Sequence, residues 1–175
     1  EKTDSIEGVQ IYRIYRDVRF SKDKSPYKNY LSVWYSRTKP FFRGSYYLHL
    51  EPGNSFVEGG FWQPEAADLK RIRKEFELDD SEIREIMSAP DFMKYFNGIQ
   101  GEELKTAPKD FDKNHKAIDL IKKKQFLVIR RFSDKEVLDK NFKTEVLNTF
   151  AAMRPYFDYM SDVLTTNLNG ESIIK

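Results

Sequence analysis

Apolar and polar residues alternate along the first third of the chain. Tyr30 to Ser36 sets Leu31, Val33 and Tyr35 against Tyr30, Ser32 and Trp34, a period of two that predicts a strand. Val9 to Tyr15 is rich in β-branched and aromatic residues and predicts another. Tyr46 to Glu51 predicts a third, with Tyr46, Leu48 and Leu50 on one face and Tyr47, His49 and Glu51 on the other. The turn residues Glu51-Pro52-Gly53-Asn54 follow, and Ser55 to Trp62 returns as a strand, which predicts a hairpin. Gly59 and Gly60 interrupt that return strand and predict either a bulge or something close over the backbone.

After Pro64 the period changes to that of helices. Pro64 suits the first turn of a helix reaching about Phe76, with Ala67, Leu69, Ile72 and Phe76 as its inner stripe. Asp80 or Ser81 is placed to cap a short helix through Met87, and Ser88 to Asp91 starts another that Gly98 ends. Asn114 is placed to cap a helix reaching Lys124, with Ile118 and Ile121 inward; Gln125 to Phe132 then predicts a strand. Ser133 and Glu136 fit a capping box. Asn141 to about Leu168 predicts a long helix with Phe142, Val146, Phe150, Met153, Phe157, Met160 and Leu164 as its core stripe and a kink at Pro155.

These elements predict an α+β fold, with a mainly antiparallel sheet from the N-terminal half packed against helices from the C-terminal half. Residues 1–175 form one domain in this reading, β-rich over 9–63 and mainly helical over 64–170. The 175 residues include 26 aromatics (14 Phe, 10 Tyr, 2 Trp), enough to offset the ordering entropy that keeps a chain disordered. No apolar run reaches about 18 residues, so no membrane-spanning helix is expected. Zero cysteines exclude disulfides, a cysteine nucleophile and cysteine-ligated zinc, and suit a reducing, cytoplasmic location.

The net charge of +2 conceals an asymmetry. Tyr12 to Arg43 holds nine basic residues (Arg13, Arg16, Arg19, Lys22, Lys24, Lys28, Arg37, Lys39 and Arg43) against Asp17 and Asp23, a local net charge of +7. Such a field favours an anionic partner, whereas a solvated face of edge strands is the plainer reading of any one of these charges. If Arg13 to Arg19 stays extended, Arg13, Asp17 and Arg19 lie on one face, where Asp17 can hold one arginine while the other meets a ligand. Lys22, Lys24 and Lys28 follow from the loop as point charges. The ligand-binding candidates are therefore Arg13, Arg16, Arg19, Lys22, Lys24 and Lys28, with Gly59 and Gly60 if a ligand approaches their backbone.

Asp17, His49 and Glu51 are the candidate acids and bases. Each has a structural alternative: Asp17 as an ion-pair partner of Arg16 or Arg19, His49 as a satisfied sheet histidine. Trp62 reads as a core or hairpin-closing aromatic rather than a stacking platform. The chain lacks both the phosphate-loop and dinucleotide-binding glycine patterns, and with only His49 and His115 a histidine-rich metal site is excluded within one chain. Neither a cofactor nor a bound metal is expected.

Two segments carry a recognisable pattern: Arg13-Ile14-Tyr15-Arg16-Asp17-Val18-Arg19-Phe20-Ser21-Lys22-Asp23-Lys24-Ser25-Pro26-Tyr27-Lys28, and Tyr46 through Glu65 with its Glu51-Pro52-Gly53-Asn54 turn and Gly59-Gly60 pair. Together they resemble the DUF2461 family, as do Pro108-Lys109-Asp110-Phe111, His115 and Lys123-Lys124-Gln125-Phe126. That resemblance implies no assigned activity. It also implies a further helical segment ahead of Glu1, carrying an Asn-Asn-x-x-Trp-Phe-like motif that is not in this sequence. The expectation is apolar surface left exposed, or covered by a second copy of the chain as a homodimer. Three functions fit the residues: binding or turnover of a small phosphorylated or carboxylated ligand, a nucleic-acid-binding domain, and a non-catalytic interaction scaffold. Fourteen aromatics interleave with the basic residues between Tyr12 and Trp62, as a stacking surface would require, but the near-neutral whole disfavours nucleic acid.

Overall fold

A computed structural model describes residues 4–174. Five antiparallel strands form one sheet in the order β1 (Ile6–Ile11), β2 (Leu31–Arg37), β3 (Ser45–Leu50), β4 (Ser55–Phe61) and β5 (Phe126–Phe132). Four helices fill the β4–β5 connection: α1 (Ala66–Leu78), α2 (Ser81–Ser88), α3 (Pro90–Tyr95) and α4 (Ile118–Ile121). A short α5 (Asp134–Val137) and the long α6 (Phe142–Thr165) complete an α+β fold. Among the described residues no helix is long and apolar enough to cross a membrane.

The β3–β4 hairpin closes as its residues require. Gly53 takes the positive φ of 74° that an L side chain disfavours, Pro52 precedes it, and the Asn54 N–H donates to the Glu51 carbonyl at 2.9 Å. The α6 stripe packs on one face of the sheet, where Val146, Met153, Phe157, Met160 and Leu164 are buried and Phe142 and Phe150 partly so. Tyr46 stands between Phe150 and Phe157, with both ring centroids at 4.8 Å. The Tyr156 hydroxyl donates to the Phe126 carbonyl at 2.8 Å, tying α6 to β5. Each fully buried ring here contributes about 1.5–3 kcal/mol by leaving water. Helix α6 is continuous through Pro155, whose ring sits on the solvent side.

The Gly59-Gly60 pair makes no bulge; the β3–β4 and β4–β5 registers run through both residues. What lies close over Gly59 is α6, where an added Cβ would sit 2.4 Å from Met153 Sδ; at Gly60, with φ of 139°, an added Cβ would sit 2.1 Å from the Phe126 carbonyl oxygen of β5.

Several element ends differ from the sequence pattern. Strand β1 stops at Ile11, and residues 14–16 pair instead with the returning limb of their own loop. There Lys28 N–H donates to the Ile14 carbonyl at 2.7 Å and Arg16 N–H to the Pro26 carbonyl at 2.9 Å. Helix α4 is one turn long because Lys123 and Lys124 are drawn into pairing with Glu102–Leu104; Lys124 N–H donates to the Glu102 carbonyl at 2.8 Å. Ala67 is exposed, so the α1 stripe reduces to Leu69, Ile72 and Phe76. Asp80 does not cap α2: its carboxylate takes Arg84 at 2.7 Å and Lys116 at 2.9 Å, while Asp79 accepts from the Ser81 N–H. The Ser133–Glu136 capping box forms at α5.

Candidate functional site

On the face opposite α6 the strand register lines up three rows of side chains. Gln10, Trp34, Tyr47, Glu58 and Ile129 form the middle row. Ser32, His49, Phe56 and Arg131 form the row towards the β3–β4 turn. Ser36, Ser45, Gly60 and Leu127 form the third. Over these rows opens a cavity of about 560 Å³ bounded by Tyr12, Trp34, Tyr47, His49, Phe56, Glu58 and Trp62. Trp62 is 56% exposed at its edge, not a core or hairpin-closing aromatic.

His49 is the best-held polar group of the cavity. Its ring lies between Tyr30, at 4.5 Å, and Phe56, stacked at 4.8 Å. Its Nε2 is 3.2 Å from a Glu51 carboxylate oxygen and its Nδ1 is 3.2 Å from the Tyr47 hydroxyl. Glu51 also accepts from the Asn54 and Asn29 side chains at 2.7 and 2.6 Å. The Asn54 bond first, then His49, holds its carboxyl below the usual range. Toward an ionised Glu51 the His49 Nε2 is the donor, and in that tautomer Nδ1 accepts from the Tyr47 hydroxyl. Burial raises the Tyr47 hydroxyl's pKa and so favours the proton-bearing form. Tyr47, His49 and Glu51 thus form a hydrogen-bonded chain that leads from the cavity to a fixed carboxylate, an arrangement able to move a proton.

Glu58 is a different kind of group. It stands opposite Tyr47 on β4, half-buried, and has no hydrogen bond or ion pair among the described residues. Burial alone pushes its carboxyl up from the ordinary value. The sequence reading missed it, along with Trp34 and Tyr47. The available signal was a lone acid between Val57 and two glycines in an otherwise uncharged strand.

The basic loop distributes its charges differently from a converging cluster. Arg19 grips Asp17 with Nε at 2.9 Å and Nη2 at 2.6 Å, and both are exposed. That side-chain bond lowers the Asp17 pKa. Arg16 pairs with Asp23, whose carboxyl is lowered first by its bonds to Ser25 and then by Arg16. Lys24 donates to the Val18 carbonyl at 2.9 Å. Arg13 and Lys22 have no carboxylate partner among the described residues, and neither borders the cavity. Lys28 lies beside it: its ammonium is 5.1 Å from the Tyr30 ring centre and 6.0 Å from that of Tyr12. Gly59 and Gly60 border the cavity through their backbone.

Two further cations of the basic stretch are structural. Arg37 is fully buried, donating to Asp4 at 2.8 Å, Asp158 at 2.6 Å, the Arg43 carbonyl at 3.1 Å and Ser161 Oγ at 3.3 Å. Arg43 pairs with Asp68. No group of three or more His, Asp or Glu side chains among the described residues is placed to hold a metal ion.

The family model described as conserved hypothetical protein (DUF2461) matches residues 2–159. The chain belongs to the DUF2461 family. The match takes in all five strands of the sheet, the basic loop and most of α6. Comparison with curated proteins and with solved structures gave no match.

Proposed function

We propose that this chain binds a small phosphorylated or carboxylated ligand in the cavity opposite α6. The ligand's anionic group meets Lys28, and its body lies over Trp34, Tyr47, Phe56 and Trp62. The cavity carries the reading: its volume of about 560 Å³ falls in the range of small-molecule sites, and its walls are aromatic with few polar groups. Lys28 supports it as a cation with no carboxylate partner among the described residues, held over two tyrosine rings. Arg13 and Lys22 add to the positive potential of the loop. An enzyme built on this site would use His49, oriented by Glu51, as the base reached through the Tyr47 hydroxyl. A cytoplasmic location suits the cysteine-free chain.

Thermal shift tests the proposal. A ligand present at about 100 times its Kd raises Tm by about 5 °C or more for a chain of this length. Phosphate, sulfate, nucleotides, sugar phosphates and small carboxylates are the panel; stabilisation by one of them, lost in Lys28→Ala, is the expected result. No stabilisation by any of the panel sinks the reading. Exposed Trp34 and Trp62 favour nucleic-acid stacking as the second reading, against which stand Glu51 and Glu58 on the same face. That reading requires single-strand binding that weakens steeply with salt.

A homodimer is the partner proposal. Val9 and Ile11 on edge strand β1 are 61% and 73% exposed. Beside them an apolar groove of about 550 Å³ runs between the sheet and α6, lined by Ile6, Tyr35, Leu48, Leu147 and Phe150. Light scattering that finds a monomer at high concentration removes it.

A further inference from the structure

The interior of the same cavity has the opposite electrostatic character from its Lys28 side, and this bears on what else the ligand carries. No lysine or arginine borders the cavity; the carboxyl on its wall is that of Glu58, and both nitrogens of the neighbouring His49 ring are already engaged. Glu58 and Phe56 are two residues apart on β4, so Glu58 lies about 7 Å further along the sheet than the His49–Phe56 row. Trp34 and Glu58 flank Tyr47 across neighbouring strands, which sets their backbones about 10 Å apart with that of Tyr47 between. That spacing admits one small group over Tyr47, in reach of the carboxyl and of aromatic faces that carry negative quadrupole potential.

Elsewhere in this protein, partly buried acids are matched. Glu51 takes two asparagines and His49, Asp80 takes Arg84 and Lys116, and Asp4 takes Arg37. Glu58 alone among the acids of the sheet strands lies in a cavity, half-buried and without a partner among the described residues. An unpaired carboxyl in such surroundings destabilises the folded chain, and a cation arriving from outside would offset that cost.

We infer that the cavity recognises a cationic group, an ammonium or quaternary ammonium, at Glu58 among Trp34, Tyr47 and Trp62. The inference rests on the proposed ligand site and narrows its ligand to an amine that also bears an anionic group. Lys28 takes the anion and Glu58 takes the cation, so a simple anion fills half of the recognition.

The two tryptophans of the chain, Trp34 and Trp62, both border the cavity, so intrinsic fluorescence reports its occupancy. Three probes are titrated into the full chain: choline, its uncharged isostere 3,3-dimethylbutan-1-ol, and glycerol 3-phosphate. Choline is expected to bind at least about 10-fold tighter than the isostere, the scale of a cation–π and carboxylate contact. In Glu58→Gln, which keeps the shape and removes the charge, that preference falls to about 2-fold or less, while glycerol 3-phosphate binds no more weakly than before. Equal affinity for choline and its isostere overturns the inference, and this arm uses the unmodified chain, so it does not depend on the variant folding. A choline preference that survives in folded Glu58→Gln also overturns it. Glycerol 3-phosphate binding without a choline preference leaves the anion site standing and removes the cation site; silence with all three probes removes both.

Discussion

Replacing Arg37 is the most direct test of how the sheet is joined to α6. The guanidinium sits at the end of β2, wholly buried between the Phe42 and Phe157 rings at 5.2 and 5.1 Å. It donates to two carboxylates, one carbonyl and one hydroxyl. Arg37→Met fills much of the same volume but removes every one of those bonds. Breaking a fully buried pair costs about 3–5 kcal/mol, because the remaining charge is stranded. Asp4 and Asp158 are 19% and 30% exposed, so water reaches both once Arg37 is gone, and Tyr46 still donates to Asp4. Each lost charge-assisted bond is worth about 1.5–3 kcal/mol, and rehydration recovers part, so the net loss is about 3 kcal/mol. At this chain length that lowers Tm by about 6–12 °C. Urea unfolding followed by circular dichroism at 25 °C, with an unchanged slope, measures it directly. A loss under about 1 kcal/mol would place Arg37 with ordinary surface pairs and refute the account. Arg37→Lys separates charge from shape: one ammonium cannot reach the acceptors served by a planar fork, so most of the loss persists.

Other outcomes follow from the same contacts. Gly59→Ala drives a Cβ to 2.4 Å from Met153 Sδ and costs about 1–3 kcal/mol, part of which Met153→Ala restores in a double-mutant cycle; strictly additive losses would show that the close approach is not the reason for the glycine. Glu58→Gln stabilises the protein by about 1 kcal/mol at neutral pH. Burial raises the folded-state pKa of Glu58, so the cost is absent below the unfolded value of about 4 and grows as pH rises through the folded value. The variant's advantage over the parent should therefore appear only above about pH 4, and an advantage independent of pH counts against an unpaired buried charge. Asp17→Asn frees Arg19 on an exposed loop and should leave both Tm and ligand affinity unchanged; lost binding would return Asp17 to the site.

Much of the local architecture is legible in single stretches of sequence. The Pro52-Gly53 turn, the alternation of Tyr47, His49 and Glu51 against Tyr46, Leu48 and Leu50, the capping box at Ser133 and the α6 stripe all rest on interactions within a few residues. Backbone preference and side-chain period express these directly. His49 and Glu51 could be picked out together for the same reason, since two residues apart on a strand share a face.

Charge does not follow chain order in the same way. The +7 of Tyr12 to Arg43 is a sum along the chain, whereas a field in space depends on which charges are neutralised. Arg16 and Arg19 find acids within their own loop, Arg37 and Arg43 find them in segments that folding brings near, and Lys28 comes to rest beside the cavity. The same holds for Gly59, whose need for a bare backbone comes from Met153, and for α4, shortened by pairing with residues 102–104. By itself the sequence determined the strands, the long helix, the tight turn and the two faces of each strand, because those are set by neighbours along the chain. Only the tertiary structure decided which face α6 covers, and hence that Trp34, Tyr47 and Glu58 share a cavity with His49, because that choice is made by packing between residues far apart in sequence.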